Sequence, residues 1–254
     1  MKRTLLMLVI AATCFVSCGK KSDPKPEKYV LSKTSLTTKY DEYYKFVITQ
    51  GSLTIDPSNI KFTSSNTNVG TIGLEGLFDA KRVGDTKITA VIGETTLTAD
   101  VTVTPYSTLC TEPILSFGAL ISDVKSKEPR VLVDQDPTGL LYAGENSKIR
   151  HVMYLFESGR LEASVLLLAD NNLIVEESVK FLSERYTYLG KTNNNVYVFE
   201  NENATVGLSY NTELGYNAIF IKPDNKGASN IATIEKMYLK KLESINNMGN
   251  SLIK

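Results

Sequence analysis

Residues 87–103 read KITAVIGETTLTADVTV. In the first half Ile88, Ala90 and Ile92 alternate with their neighbours. Gly93 and Glu94 interrupt the pattern, and Leu97, Ala99, Val101 and Val103 then alternate with Thr96, Thr98, Asp100 and Thr102. Apolar residues at every second position mark half-buried strands, and a Gly-containing break between two such runs marks a hairpin. Working outward, residues 29–105 repeat this texture in shorter runs separated by Gly, Asn, Asp and Ser. Many short strands at close spacing predict an all-β sandwich.

The hairpin stands in a longer succession: Ser64-Ser65-Asn66, then Val69 to Ile72, Gly76 to Ala80 and Gly84 to Ala90. This succession resembles the bacterial Ig-like domain of group 2, the type found in intimin- and invasin-like proteins. Phe62 stands where that family often has Trp. The resemblance implies a spacer or an adhesive module, spacer before adhesive, and brings no catalytic residues with it. Gly76 and Gly84 are expected at turns that require a positive φ.

Upstream, Lys2 and Arg3 precede an uncharged apolar run that reaches Phe15. A basic start and a short apolar stretch make a secretory signal, too short for the roughly 20 apolar residues of a membrane span. Its end, Phe15-Val16-Ser17-Cys18-Gly19, resembles a bacterial lipobox. The resemblance implies a signal peptide over 1–17 and acyl chains on Cys18, which would tie the protein to the outer membrane on its surface or periplasmic face. Cys14 then falls in the removed peptide, and residues 18–28 form a polar, Pro-containing tether.

Downstream, residues 106–228 differ in pattern. Residues 106–113 read as a linker, and residues 122–128 as a short helix stopped by Pro129. Strands are expected over 139–143, 149–157 and 161–169. A helix begins near Asn171, with Val175, Val179, Leu182 and Tyr186 on one face and Gly190 as its stop. Strands follow over 195–200, 205–211 and 215–222. VMYLFESGRLEASVLLL and VGLSYNTELGYNAIFIK match in length and in the position of the polar turn, with Val152 and Val165 spaced as Val206 and Ile219. This predicts an α+β domain of two αβββ repeats, six antiparallel strands in one sheet with both helices on one face. The layout resembles a β-lactamase-inhibitor-like fold, and the domain is similar to ones in lipoproteins of gut Bacteroidetes. Residues 229–254 hold a C-terminal helix, with Ile231, Ile234, Met237, Tyr238, Leu242 and Ile245 at helical spacing, Ser229 as cap and Gly249 as stop. It is expected to pack back on the domain.

Chemistry is sparse. The chain has 28 Lys and Arg against 28 Asp and Glu. Loss of Lys2 and Arg3 with the signal leaves a charge of about −2, and nucleic acid needs a concentrated basic face. His151 is the single histidine, and Cys110 is the single mature cysteine besides Cys18. A histidine-based triad or a zinc site therefore lacks partners, and no metal or cofactor is expected. Asp134-Gln135-Asp136-Pro137 reads as a solvated turn before a catalytic pair. Cys110 reads as a small buried residue.

The remaining candidates are tyrosines. Tyr188, Tyr197, Tyr210 and Tyr216 could contact a sugar or a peptide, because the side chain combines apolar area with a polar tip. The sequence thus predicts a non-catalytic envelope lipoprotein. An Ig-like spacer would present the C-terminal domain for binding or adhesion to glycan or protein at the cell surface. The alternative is a periplasmic protein-interaction or inhibitor-like assembly factor. A carboxylate-only hydrolase stands third.

Overall fold

The computed structural model describes residues 27–223 and 231–252, with side chains described as far as residue 245 in the second segment. The signal peptide, Cys18, most of the tether and Ser229 lie outside the described residues.

The N-terminal unit contains β1 (Tyr29–Leu31), β2 (Ser35–Lys39), β3 (Tyr43–Lys45), β4 (Ile48–Gln50), β5 (Leu53–Thr54), β6 (Lys61–Ser64), β7 (Gly70–Ile72), β8 (Leu77–Ala80), β9 (Gly84–Ile92) and β10 (Thr95–Thr104). They form a four-stranded sheet, β2-β10-β9-β6, and two three-stranded sheets, β1-β4-β5 and β3-β8-β7. The quoted hairpin is β9–β10, closed between Ile92 and Thr95. Gly93 has a φ of 54°, the geometry a two-residue hairpin turn requires at its first position. Ile88, Ala90, Ile92, Ala99, Val101 and Val103 are buried with Phe46, Ile48 and Phe78, while Leu97 is half-buried against them. Period-two alternation therefore predicted the core face of this sheet. Gly76 and Gly84 both take a positive φ, 74° and 144°, and a Cβ on Gly76 would lie 2.6 Å from the Phe46 carbonyl.

The C-terminal unit runs α1 (Ile121–Lys127), β11 (Leu132–Asp136), β12 (Gly139–Ala143), β13 (Ile149–Glu157), β14 (Arg160–Leu168), α2 (Asn172–Ser183), β15 (Thr187–Lys191), β16 (Tyr197–Glu200), β17 (Thr205–Asn211), β18 (Gly215–Ile221) and α3 (Ile231–Leu252). All eight strands join one sheet in the order β11-β12-β13-β14-β18-β17-β16-β15. The order is a palindrome: each half is a helix followed by four strands, and the last strands of the halves meet at the centre. Val165 and Ile219, equivalent in the two matching stretches, are paired across that centre.

Several expectations need correction. The sheet has eight strands rather than six, because β11 and β15 were not anticipated. β11 is an edge strand with a bulge between Leu132 and Asp134, so its exposed acids read as a turn, which in fact begins at Pro137. The second helix ends at Ser183, not Gly190, and Gly190 lies inside β15 with a φ of 140°. Its buried stripe is Ser178, Phe181 and Leu182 with Ile174 half-buried, whereas Val179 is exposed. The two repeat helices share one face of the sheet, and the C-terminal helix packs back on the other. Val124 of α1 and Phe181 and Leu182 of α2 pack on one face, while Ile234, Tyr238 and Ile245 of α3 pack on the other. The backbone of α3 stays helical through Gly249 to Leu252.

Candidate functional site

The sheet face under α1 and α2 buries Phe199, Val206, Leu208, Ala218 and Phe220. Strand alternation puts Tyr197, Tyr210 and Tyr216 on that same face, and Tyr188 is paired with Phe199. Tyr188, Tyr197 and Tyr210 are 51%, 38% and 56% exposed, whereas Tyr216 is half-buried and packs on the core. The Tyr210 and Tyr216 rings meet edge to face at 5.0 Å. Tyr188 and Tyr197 lie 6.5 Å apart, with Lys191 Nζ 4.9 Å from the Tyr197 ring centroid. The four candidates thus share one face as two contacting pairs. Tyr197 begins β16, Tyr210 is next to last in β17 and Tyr216 is second in β18, so these three occupy one end of the sheet.

The Ig-like unit meets the other end. Glu184, just past α2, is buried; its carboxylate accepts hydrogen bonds from the Tyr106 and Ser107 amides, both at 3.1 Å. Its carbonyl accepts one from the Val83 amide at 2.9 Å. Ser107 Oγ and the Thr108 amide donate to Glu177 at 2.8 and 2.9 Å. Burial would raise the Glu177 pKa, but these two donors together with the charges of Lys148 and Lys180 outweigh it and hold the carboxyl below its usual range. Arg82 Nη2 donates to Thr187 Oγ1 at 3.2 Å, and Asn68 Nδ2 donates to Glu202 Oε2 at 2.5 Å. The first three residues of the segment read as a linker, 106–108, are therefore fastened to the C-terminal unit.

Between these contacts lies a cleft of about 830 Å³ with walls from both units. The Ig-like wall carries Tyr40, Asp41, Tyr43, Thr67, Asp79 and Lys81; the opposite wall carries Arg185, Thr187 and residues 201–203. Sequence reasoning missed this site because its residues come from segments more than a hundred positions apart.

Of the other polar groups in the C-terminal unit, Arg130, Glu128 and Asp136 have structural partners, while Arg130 Nε and His151 Nδ1 are buried with no hydrogen-bond partner among the described residues. Arg130 Nη1 pairs with Glu128 at 3.0 Å and Nη2 with Glu145 at 2.7 Å, and Tyr154 Oη donates to Glu128. Burial pulls the Arg130 pKa down, but the two glutamates more than offset it and leave it raised. Burial pushes the Cys110 thiol up to about 12, which leaves it in the unreactive thiol form at neutral pH. His151 sits in β13 opposite Ala143 and Leu167. Asp136 Oδ1 accepts from the Thr138 amide at 2.6 Å and from Thr138 Oγ1 at 2.7 Å, closing the β11–β12 turn. Among the described residues no group of three or more His, Cys, Asp or Glu could hold a metal ion, and no helix is long and apolar enough to cross a membrane.

Residues 29–103 match the bacterial Ig-like domain family, group 2. The N-terminal unit is a domain of that class, and the spread of strands over three small sheets around one core is its architecture here. No curated protein matches the chain. Among solved structures, domains 5–6 of the S-layer protein SbsC align over 80% of this chain and 87% of that one, at 13% identity and a TM-score of 0.28. Domains 4–9 of the same protein align at 13% identity and a TM-score of 0.28, over 80% of this chain and 28% of that one. Domains 1–6 align at 12% and 0.27, over 82% and 27%.

Proposed function

We propose that the chain is a non-catalytic lipoprotein of the cell envelope, held to the outer membrane through Cys18. Its Ig-like domain acts as a spacer, and the tyrosine-bearing end of the C-terminal sheet makes the contact with a surface glycan or protein. The observation that carries this reading is the placement of the tyrosines. Tyr197, Tyr210 and Tyr216 lie at the opposite end of the strands from the junction at Glu184 and Glu202. β17 alone puts Tyr210 roughly 17 Å along the sheet from Thr205, at about 3.4 Å per residue. Exposed Tyr rings supply contact area at low cost in side-chain entropy.

The test has two parts. Protease added to intact cells should remove the C-terminal domain, and digestion only after lysis would place the protein on the periplasmic side and overturn the surface reading. Binding of whole-cell surface extracts to the purified chain should then fall at least tenfold in Tyr210→Ala and Tyr197→Ala. Retained binding in both variants would remove the tyrosines from the contact.

A further inference from the structure

Beyond the tyrosine face, we propose that the cleft between the Ig-like and C-terminal domains is a second binding site, and that its ligand is a neutral oligosaccharide. Its volume of about 830 Å³ falls within the roughly 300–1,000 Å³ typical of small-ligand sites. The polarity of its walls excludes most other ligand classes. Asp41, Asp79, Asp85 and Glu202 face Lys81, Arg82 and Arg185, so the two signs nearly balance and no field of one sign attracts an ion. Two of the acids are already engaged, Glu202 by Asn68 and Asp85 by Thr102 at 2.6 Å. Apolar ligands find little beyond Val69 and Val83.

What the cleft offers instead is a mixture of unspent donors and acceptors. The side chains of Tyr43, Thr67, Asp79, Lys81 and Asn203 line it, and none forms a hydrogen bond or ion pair with another described residue. Sugar hydroxyls both donate and accept, so they match such a mixture where a carboxylate, a phosphate or an ammonium group would match only part of it. Tyr43 is 63% exposed, and with Tyr40 it adds ring faces for the C–H surfaces of a pyranose. The walls are also set in place before any ligand arrives. Val83 on Glu184, Arg82 on Thr187 and Asn68 on Glu202 each cross from one domain to the other. Binding therefore need not order a hinge, a cost that loosely joined domains would carry.

The experiment is calorimetric titration of the full mature chain with maltohexaose, cellohexaose and mannohexaose, beside an acidic heparin hexasaccharide and a neutral hexapeptide. At least one neutral hexasaccharide should bind with a Kd of about 1 mM or tighter. Tyr43→Ala and Asn203→Leu, both at exposed positions, should each weaken it about tenfold while leaving the unfolding midpoint unchanged. Absence of binding by all three neutral sugars would overturn the proposal. So would equal binding by the acidic sugar or the peptide, or unchanged affinity in both variants.

Discussion

Tyr238 of α3 lies directly over Gly207 of β17. A Cβ at Gly207 would come within 2.6 Å of Tyr238 Cε2 and 3.0 Å of Val196 Cγ1, so the glycine is the floor of a socket. The phenol donates to Asn217 Oδ1 at 2.8 Å and shares a 2.5 Å hydrogen bond with Ser209 Oγ. Asn217 is fully buried; its amide group donates to the Gly215 carbonyl at 2.9 Å. One aromatic side chain thus docks the helix by shape and satisfies the polar centre of the sheet.

Gly207→Ala should therefore lift α3, because overfilling a packed site costs about 1–3 kcal/mol. Tyr238→Phe keeps the ring but removes the donor to Asn217, a loss of about 1–3 kcal/mol for a buried group left unpaired. Hydrogen exchange in α3 should accelerate in both variants. Protection equal to that of the parent would show that the socket does not hold the helix.

Glu184 joins the domains through its buried carboxylate, which also pairs with Arg185 Nη1 at 3.7 Å. Glu184→Gln turns one acceptor toward the Tyr106 and Ser107 amides into a donor, so about 1–3 kcal/mol should be lost. For a chain of this size each kcal/mol lowers the midpoint by about 2–4 °C. Differential scanning calorimetry should record that shift, and an unmoved midpoint would mean that the junction contributes nothing to stability.

His151 gives stability a pH dependence of known sign. Burial, and then Arg150, hold its imidazole below the ordinary 6.5. The unfolded chain then takes up the proton at higher pH than the folded one. Its contribution is complete above about pH 6.5 and is lost as pH falls toward the depressed folded value. Denaturant midpoints measured from about pH 7 to about pH 5 should decline, and His151→Gln should flatten the decline. A parallel curve in the variant would assign the slope to other groups.

Much of the fold was legible because much of it is local. Alternation in β9 and β10 marked the sandwich, and Gly76, Gly84 and Gly93 marked its turns, because a strand buries every second side chain and a tight turn demands a backbone that glycine allows. The matching of β13–β14 with β17–β18 showed a repeat in the second domain. β11 and β15 escaped notice for the opposite reason. Edge strands have a partner on one side only, so their exposed positions carry Asp134, Val133 and Tyr188 without penalty and the period is lost. The face of α2 was misassigned since Val179 and Phe181 look alike as apolar residues, and only the sheet beneath selects between them.

By itself, then, the sequence determined the order of most strands and helices, the N-terminal family, the balance of charge and the tyrosine candidates. These are consequences of neighbours along the chain. The tertiary structure decided how many strands join one sheet, that α3 closes its second face, that Glu184 fastens the domains and that a polar cleft opens beside it. Asn68 and Glu202 stand 134 positions apart, and no periodicity along a chain encodes a contact made only when two finished domains meet.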